Sequence, residues 1–314
     1  MEKEFIDWLC SREKEFPNEN PVKGESKNIV ELGIGDDAAV LFANDRIVVA
    51  TDAIAEGTHF ACDESLARIG RKALAVNLSD LAAMGASPIA ATIALQMPAR
   101  FELAQVKELY LGIEQLAQQF CVAIVGGDTN RWDGGIVVSV TAIGVPFGKK
   151  AGKLWRISGA AAGDAVLVSG EFGGSILGKH LDFEPRVALA EYLVDHYAIS
   201  AATDASDSLS ADLASIAAQS KLGFEMELGS VPLSDASKEL AKTSGKTALE
   251  HGLSDGEDFE LIICAPESEA LKMLDDKSMP TKLTRIGKMT AECDFIAIDA
   301  AGNRSPLTIQ GYQH

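Results

Sequence analysis

The acidic residues of this chain repeatedly fall where a site could use them, at strand ends and glycine-rich turns beside apolar runs. Asp36 and Asp37 follow Gly33-Ile34-Gly35, and Asp52 closes the run IVVAT. Asp128 follows Gly126-Gly127, Asp204 and Asp207 form a D-x-x-D pair, and Glu257-Asp258 follow Gly256. Any one of these alone reads as a turn residue or a helix cap. Asp80 resists that reading. It lies in KALAVNLSDLAAMG, a helical stretch with little polar surface, and a carboxylate there needs a partner if it is buried. Arg71 and Lys72 stand too far back along the helix to be its i,i+4 partner. A hard divalent cation answers the problem, because Mg²⁺ takes oxygen ligands and shares one or two carboxylates with substrate phosphates. Asp side chains converging on several Mg²⁺ ions would also reverse the local charge, so that an acidic protein could hold an anionic nucleotide.

Competing chemistries fit less well. Gly173-Gly174-Ser175-Ile176-Leu177-Gly178-Lys179 has the outline of a P-loop, but His180 stands where Ser or Thr must hold Mg²⁺. Gly33-Ile34-Gly35 lacks the third glycine of a dinucleotide fingerprint. His59, in EGTHF, has no second histidine at metal spacing, so zinc is not indicated. The five cysteines are scattered singly with no C-x-x-C pair, which speaks against a disulfide framework and for a reducing compartment.

The elements that must position these residues alternate helix and strand. Periodicity predicts helices at 2–13 (with Cys10 on its apolar face), 66–84, 102–119, 186–195, 208–219, 235–243 and 267–275. Strands are predicted at 89–96, 136–145, 165–169, 224–228, 259–264 and 295–298. The short runs 38–42 and 46–51 around Asn44-Asp45 read as a hairpin. Val122–Val125 reads as a short buried strand that runs into Gly126-Gly127-Asp128. The composition shifts after Pro146 (FGKKAGK), which suggests two mixed α/β domains, 1–150 and 151–314.

With 28 basic and 46 acidic residues among 314, the net charge is −18, which repels nucleic acid. A hydrophobic fraction of 47% against 24% charged excludes disorder as the main state. The uncharged stretch Leu81–Ala99 carries Pro88 and Pro98 and reads as a buried helix end, turn and strand rather than a membrane span. The charged N-terminus lacks a signal-peptide core, and a cytoplasmic location is expected.

Taken in order, ELGIGDDAAV, TDAIAEGTHF, KALAVNLSDLAAMGASP, VGGDTNR, DASDSLSADL, GEDFEL and GYQH resemble the thiamine-monophosphate kinase family over nearly the whole chain. That family is similar to the aminoimidazole-ribonucleotide synthetase superfamily, which uses ATP without a Walker A loop. The resemblance implies an N-terminal α/β domain whose strands join a partner's in a barrel across a homodimer, followed by a C-terminal α/β domain. It implies direct transfer of the γ-phosphoryl of ATP to thiamine monophosphate. Asp36, Thr51, Asp52, Asp80, Asp128, Asp204 and Asp207 would hold the Mg²⁺ cluster, with Asp128 and Asp207 nearest the chemistry. Gly127, Asp128, Ser206 and Arg156 would contact ATP, and His59, Glu257 and Tyr312 the acceptor.

The chain departs from the family pattern in three places. Ser208 replaces the glycine of S-D-G-L, Asp255 replaces the first glycine of G-G-E-D, and Ala50 replaces the serine before Thr51-Asp52. A left-handed glycine at 208 would leave Ser208 strained, and Asp255 would add negative charge beside the acceptor pocket. Two other readings compete: an ATP-dependent kinase or synthetase of the same superfamily with another small substrate, and a weakly catalytic metal- or ATP-binding paralogue. The complete Asp set argues against the second.

Overall fold

A computed structural model describes residues 30–32, 40–41, 46–148 and 154–311. The expected helix 2–13 with Cys10, the Asn44-Asp45 turn, Asp36, Asp37 and Tyr312 lie outside these residues. The chain divides into two compact units, one reaching to Leu81 and resuming at Ser87–Pro146, the other comprising Ala82–Ala86 and the chain from Phe147 onward.

The first unit is built on a four-stranded sheet in the order β3-β6-β4-β5: β3 (Val48–Ala55), β4 (Ala86–Pro98), β5 (Ala123–Trp132) and β6 (Val137–Pro146). A separate two-stranded sheet joins β1 (Val30–Leu32) to β2 (Val40–Leu41). Among the described residues, the two runs of the expected hairpin do not pair with each other. β2 pairs with β1, and β3 pairs antiparallel with β6 from Val48↔Gly144 to Ala55↔Val137. Alternation marks a strand but does not name its partner.

Helices α1 (Leu66–Ala83) and α2 (Leu103–Gln119) belong to the same unit. α1 carries Ile69, Leu74, Leu78 and Leu81, each 2% exposed or less, and is buried nearly all round from Ile69 to Ala83. The two helices cross almost backbone to backbone. A Cβ at Gly70 would lie 2.0 Å from Leu109 O, and one at Gly112 would lie 1.9 Å from Ala67 O. Lys72, fully buried on α1, donates to His59 O at 2.8 Å and so ties the EGTHF turn to the helix.

The glycines before Asp128 are not a turn. β5 continues through them, parallel to β4, with Ile93↔Gly127 and Ala94↔Asp128 in register. A Cβ on Gly127 would stand 1.9 Å from Ile93 O. The glycine is there so that two strands can meet. Gly127→Ala is expected to destabilise the protein by about 1–3 kcal/mol through forced strand separation. Chemical denaturation would measure it, and an unchanged midpoint would refute the close-approach argument.

The second unit is a seven-stranded sheet in the order β13-β12-β9-β11-β7-β10-β8. Its strands are β7 (Ala165–Ser169), β8 (Ala201–Asp204), β9 (Gly223–Glu227), β10 (Leu261–Ala265), β11 (Leu283–Thr290), β12 (Phe295–Ile298) and β13 (Arg304–Pro306). The helices are α3 (Lys179–Asp182), α4 (Val187–His196), α5 (Leu209–Ser220), α6 (Asp235–Ser244), α7 (Ala248–Ser254) and α8 (Glu267–Asp275). Pairings are antiparallel except β12 with β9. β7 and β10 are buried along their whole length, and Phe172, Leu213, Ile216, Phe224 and Ile262 fill the core between sheet and α5. Among the described residues, no helix is long and apolar enough to cross a membrane.

Candidate active site

In the first unit, strand pairing sets out the expected metal-side residues. Thr51 is exposed on β3, opposite Thr141, with its Oγ1 3.0 Å from Thr141 Oγ1 and 3.2 Å from Val140 O. Asp52, next along an extended strand, faces the other side and is half-buried. Asp128 is exposed on the edge strand β5 and accepts a 2.6 Å hydrogen bond from Asn130 Nδ2 on the same face. Asp80 is half-buried on α1. His59 Nδ1 accepts the Ala55 N–H at 3.0 Å, so a neutral ring carries its proton on Nε2.

In the second unit the strands β8 and β10 run on beyond their ladder into two loops that stay in contact. Leu261 pairs with Asp204, which is 6% exposed. Phe259 N–H then donates to Ala205 O at 2.8 Å, and Glu257 N–H to Ser206 O at 2.7 Å. A Cβ at Gly256 would lie 2.8 Å from both Ser206 O and Asp207 O. Ser206, Asp207 and Glu257 are thus neighbours through backbone contacts. Arg156 is exposed beside the same strand, its carbonyl accepting the Ala202 N–H at 3.0 Å.

Glu257 and Phe259 are both left-handed, with φ of 61° and 51°, which costs a non-glycine residue about 1–2 kcal/mol. Such strain persists where the surroundings over-determine the chain. Here Asp258 is 1% exposed, and its two oxygens accept the Gly173 N–H at 2.9 and 3.1 Å, while Phe259 stacks on Phe183 with ring centroids 4.1 Å apart. Beneath the turn, Glu260 receives Arg186 Nε and Nη2 at 2.6 Å each and Ser169 Oγ at 2.6 Å, with Lys179 Nζ at 3.0 Å. Burial would push the Glu260 carboxyl up. The Arg186 hydrogen bonds and the Lys179 and Arg186 charges outweigh it and hold the group below its ordinary range. Burial dominates at Asp258 and pushes it up to about 7, against the pull of Lys179 and Gly173.

Sequence reasoning missed Asp212. Its Oδ2 accepts the N–H of both Asp207 and Ser208 at 3.0 Å, which fixes the backbone that carries Asp207. Burial pushes its carboxyl up to about 7 although these two bonds oppose the shift. Its only trace in the sequence is an acid near the start of a helix, one position past the place a capping box would use after the N-cap Ser208.

The Gly173–Lys179 segment is no phosphate cradle. Its Gly173 N–H is taken by Asp258 and its Gly174 N–H by Asp255, while Lys179 donates to Glu171 O at 2.7 Å. Asp255 has its carboxylate engaged within the second unit: it accepts the Gly174 N–H at 3.0 Å and lies 2.9 Å from His251 Nδ1. A carboxylate only accepts, so Nδ1 donates and Nε2 is left for Ser244 Oγ at 2.6 Å. This relay fastens α6 and α7 to the Gly174 loop.

Residues 35–146 match the AIR synthase related protein, N-terminal domain, and residues 156–300 the AIR synthase related protein, C-terminal domain. Thiamine-monophosphate kinase of Rhodopirellula baltica is 41% identical over 325 aligned positions, spanning 100% of this chain and 97% of that relative. The chain belongs to the thiamine-monophosphate kinase family. The crystal structure of the thiamine-monophosphate kinase from Stenotrophomonas maltophilia superposes with a TM-score of 0.77 at 34% identity, covering 93% of this chain and 95% of that one. The structure of AaThiL complexed with AMPPCP and TMP shares the fold, with a TM-score of 0.75 at 24% identity over 98% of this chain and 96% of that one. For a member of the thiamine-monophosphate kinase family, Ser208 is an unstrained substitution. Its φ of 174° is extended backbone, and its Oγ caps α5 by accepting the Ala211 N–H.

The donor set suits a hard cation. Every expected ligand offers oxygen. Among the described residues, Asn77 Oδ1, fully buried one turn before Asp80, has no hydrogen-bond partner, an oxygen left over for a further ligand contact. Among the same residues no three His, Cys, Asp or Glu side chains are gathered closely enough to hold an ion by themselves.

Proposed function

We propose that the chain transfers the γ-phosphoryl group of ATP to thiamine monophosphate, forming thiamine diphosphate and ADP. The observation that carries this reading is the 41% identity to a thiamine-monophosphate kinase across the whole chain. In the same reading Asp36, Thr51, Asp52, Asp80, Asp128, Asp204 and Asp207 hold Mg²⁺, Gly127, Ser206 and Arg156 contact ATP, and His59, Glu257 and Tyr312 contact the acceptor. When bound, Mg²⁺ neutralises charge on the phosphates and draws the two anions together.

The chain's own contribution is positioning. Asp212 holds the N–H groups of Asp207 and Ser208, so the Asp207 carboxylate is aimed before substrate arrives. The left-handed turn over Asp258 presents Glu257 beside the same loop. The acceptor is already a phosphate oxygen, so no strong general base is required.

A homodimer belongs to this reading. At the edge of the first unit's sheet Val49 is 61% exposed and Ile47 just before it 52%, apolar surface that a second copy of the chain would cover. A cytoplasmic location fits the unpaired thiols of Cys62, Cys121, Cys264 and Cys293.

A coupled ADP-release assay tests the proposal. ADP release should depend on thiamine monophosphate, should not occur with thiamine, and should stop in excess EDTA and return with Mg²⁺. Ca²⁺ should restore it poorly, because its longer and looser coordination misplaces the phosphates. Turnover undiminished by EDTA would overturn the metal roles, and turnover indifferent to the acceptor would overturn the substrate.

A further inference from the structure

The C-terminal segment is fastened to the N-terminus of α5 through one carbonyl. Ser208 Oγ donates to Gln310 O at 2.6 Å and Ser210 Oγ to the same oxygen at 2.8 Å, while Gln310 N–H returns a 3.2 Å bond to Ser210 Oγ. Both serines are buried, at 1% and 0% exposure. A carbonyl has two lone pairs, so both hydroxyls are satisfied there. The segment has no ladder of its own beyond β13. Leu307 N–H reaches Phe295 O at 2.8 Å, and Leu307 and Ile309 rest on the core. Gly311 follows in close contact. A Cβ there would be 2.9 Å from Ser208 Oγ and from Ala211 Cβ, and 3.3 Å from Asp207 O.

We propose that Ser208 and Ser210 are positioning residues for the acceptor, acting by clamping residues 307–311 against the Asp207 turn. Ser208 carries both duties, because the residue that caps α5 beside Asp207 also holds Gln310. A chain with S-D-G-L at this place has glycine, and so no hydroxyl, at position 208, and the double clamp is a property of this sequence. The inference rests on the proposed kinase reading, in which Tyr312, two positions beyond Gln310, serves the acceptor. It adds the means by which residues 307–311, which lead to Tyr312 in the chain, are held.

The test uses the full-length protein with Ser208→Gly, Ser210→Ala and the two combined. Glycine is chosen at 208 because it keeps most of the N-cap function. Amide hydrogen exchange of residues 300–314 is read without ligands, and KM for thiamine monophosphate, KM for ATP and kcat are read by ADP release. In the double variant the Gln310 amide should exchange about tenfold faster and KM for thiamine monophosphate should rise about tenfold. KM for ATP and kcat should stay within about twofold of wild type. Ser210→Ala alone, which leaves the cap untouched, should show part of each change.

Unchanged exchange would overturn the clamp. Faster exchange with both KM values unmoved, or rising together, would overturn the acceptor role and leave a structural fastening. A wild type that releases ADP without regard to thiamine monophosphate would overturn the kinase reading and the acceptor role together, and the exchange data would still decide whether the clamp exists.

Discussion

Asp207→Asn should leave a folded protein whose kcat is lower by about a thousandfold or more. A metal-bound carboxylate supplies several kcal/mol of transition-state charge stabilisation, and each 1.4 kcal/mol is about tenfold in rate. The amide matches the carboxylate in volume. The Asp207 N–H is held by the Asp212 carboxylate, a bond the substitution leaves in place, so the loop should keep its shape. Stability should move by less than about 0.5 kcal/mol, as for a substitution outside the core. The loss should appear at saturating ATP and acceptor and be partly relieved by raised Mg²⁺, because a weakened ligand set is refilled by mass action. Near-normal turnover would reduce Asp207 to a loop residue before α5 and remove the strongest support for the metal roles.

The largest effect on stability is expected at Glu260→Gln. The wild-type carboxylate is 1% exposed and balances Arg186 and Lys179 together with Asp258. The amide cannot accept the Arg186 fork at both positions, and it leaves the half-buried Arg186 charge short of a partner. Breaking a fully buried pair from one side costs about 3–5 kcal/mol, and the partial exposure of the two cations brings the expected cost to about 2–3 kcal/mol. The variant should therefore show a much lower denaturation midpoint with little change in slope.

pH provides a second check. The folded-state pKa of Glu260 is held below its unfolded value, so its contribution is present above the unfolded pKa of about 4.3 and is lost as pH falls through the folded value. The gap between wild type and variant should narrow on acidification below about pH 4. A gap of less than about 1 kcal/mol at neutral pH would mean that the network contributes orientation and little stability.

The seven-stranded unit illustrates which elements could be read in advance. Ala165–Ser169 and Phe295–Ile298 stand where the apolar runs put them, since short buried strands bounded by polar turns carry a local signal. β8 and α7 were missed. Ala201–Asp204 has only four residues, two of them alanine and two polar, and Ala248–Ser254 has only seven, too few for a helical period to stand out. Asp212 escaped for a different reason. Its role depends on which backbone N–H groups its side chain reaches, and spacing alone does not distinguish a cap from a surface acid.

The sequence by itself determined the family and with it the kinase activity. NLSDLAAMGA followed by GGDT, and a glycine run that lacks the Ser or Thr of a P-loop, are matters of residue type and order that can be read before any fold is known. The tertiary structure alone decided which strand β3 pairs with, why Gly127 must be glycine, and where Asp255 and Ser208 send their side chains. Those outcomes turn on contacts between residues far apart in the chain, such as Ser208 with Gln310 or Gly127 with Ile93. A local pattern carries no record of the distant atom that a hydrogen bond or a close backbone approach will find, and only the folded chain brings that atom within reach.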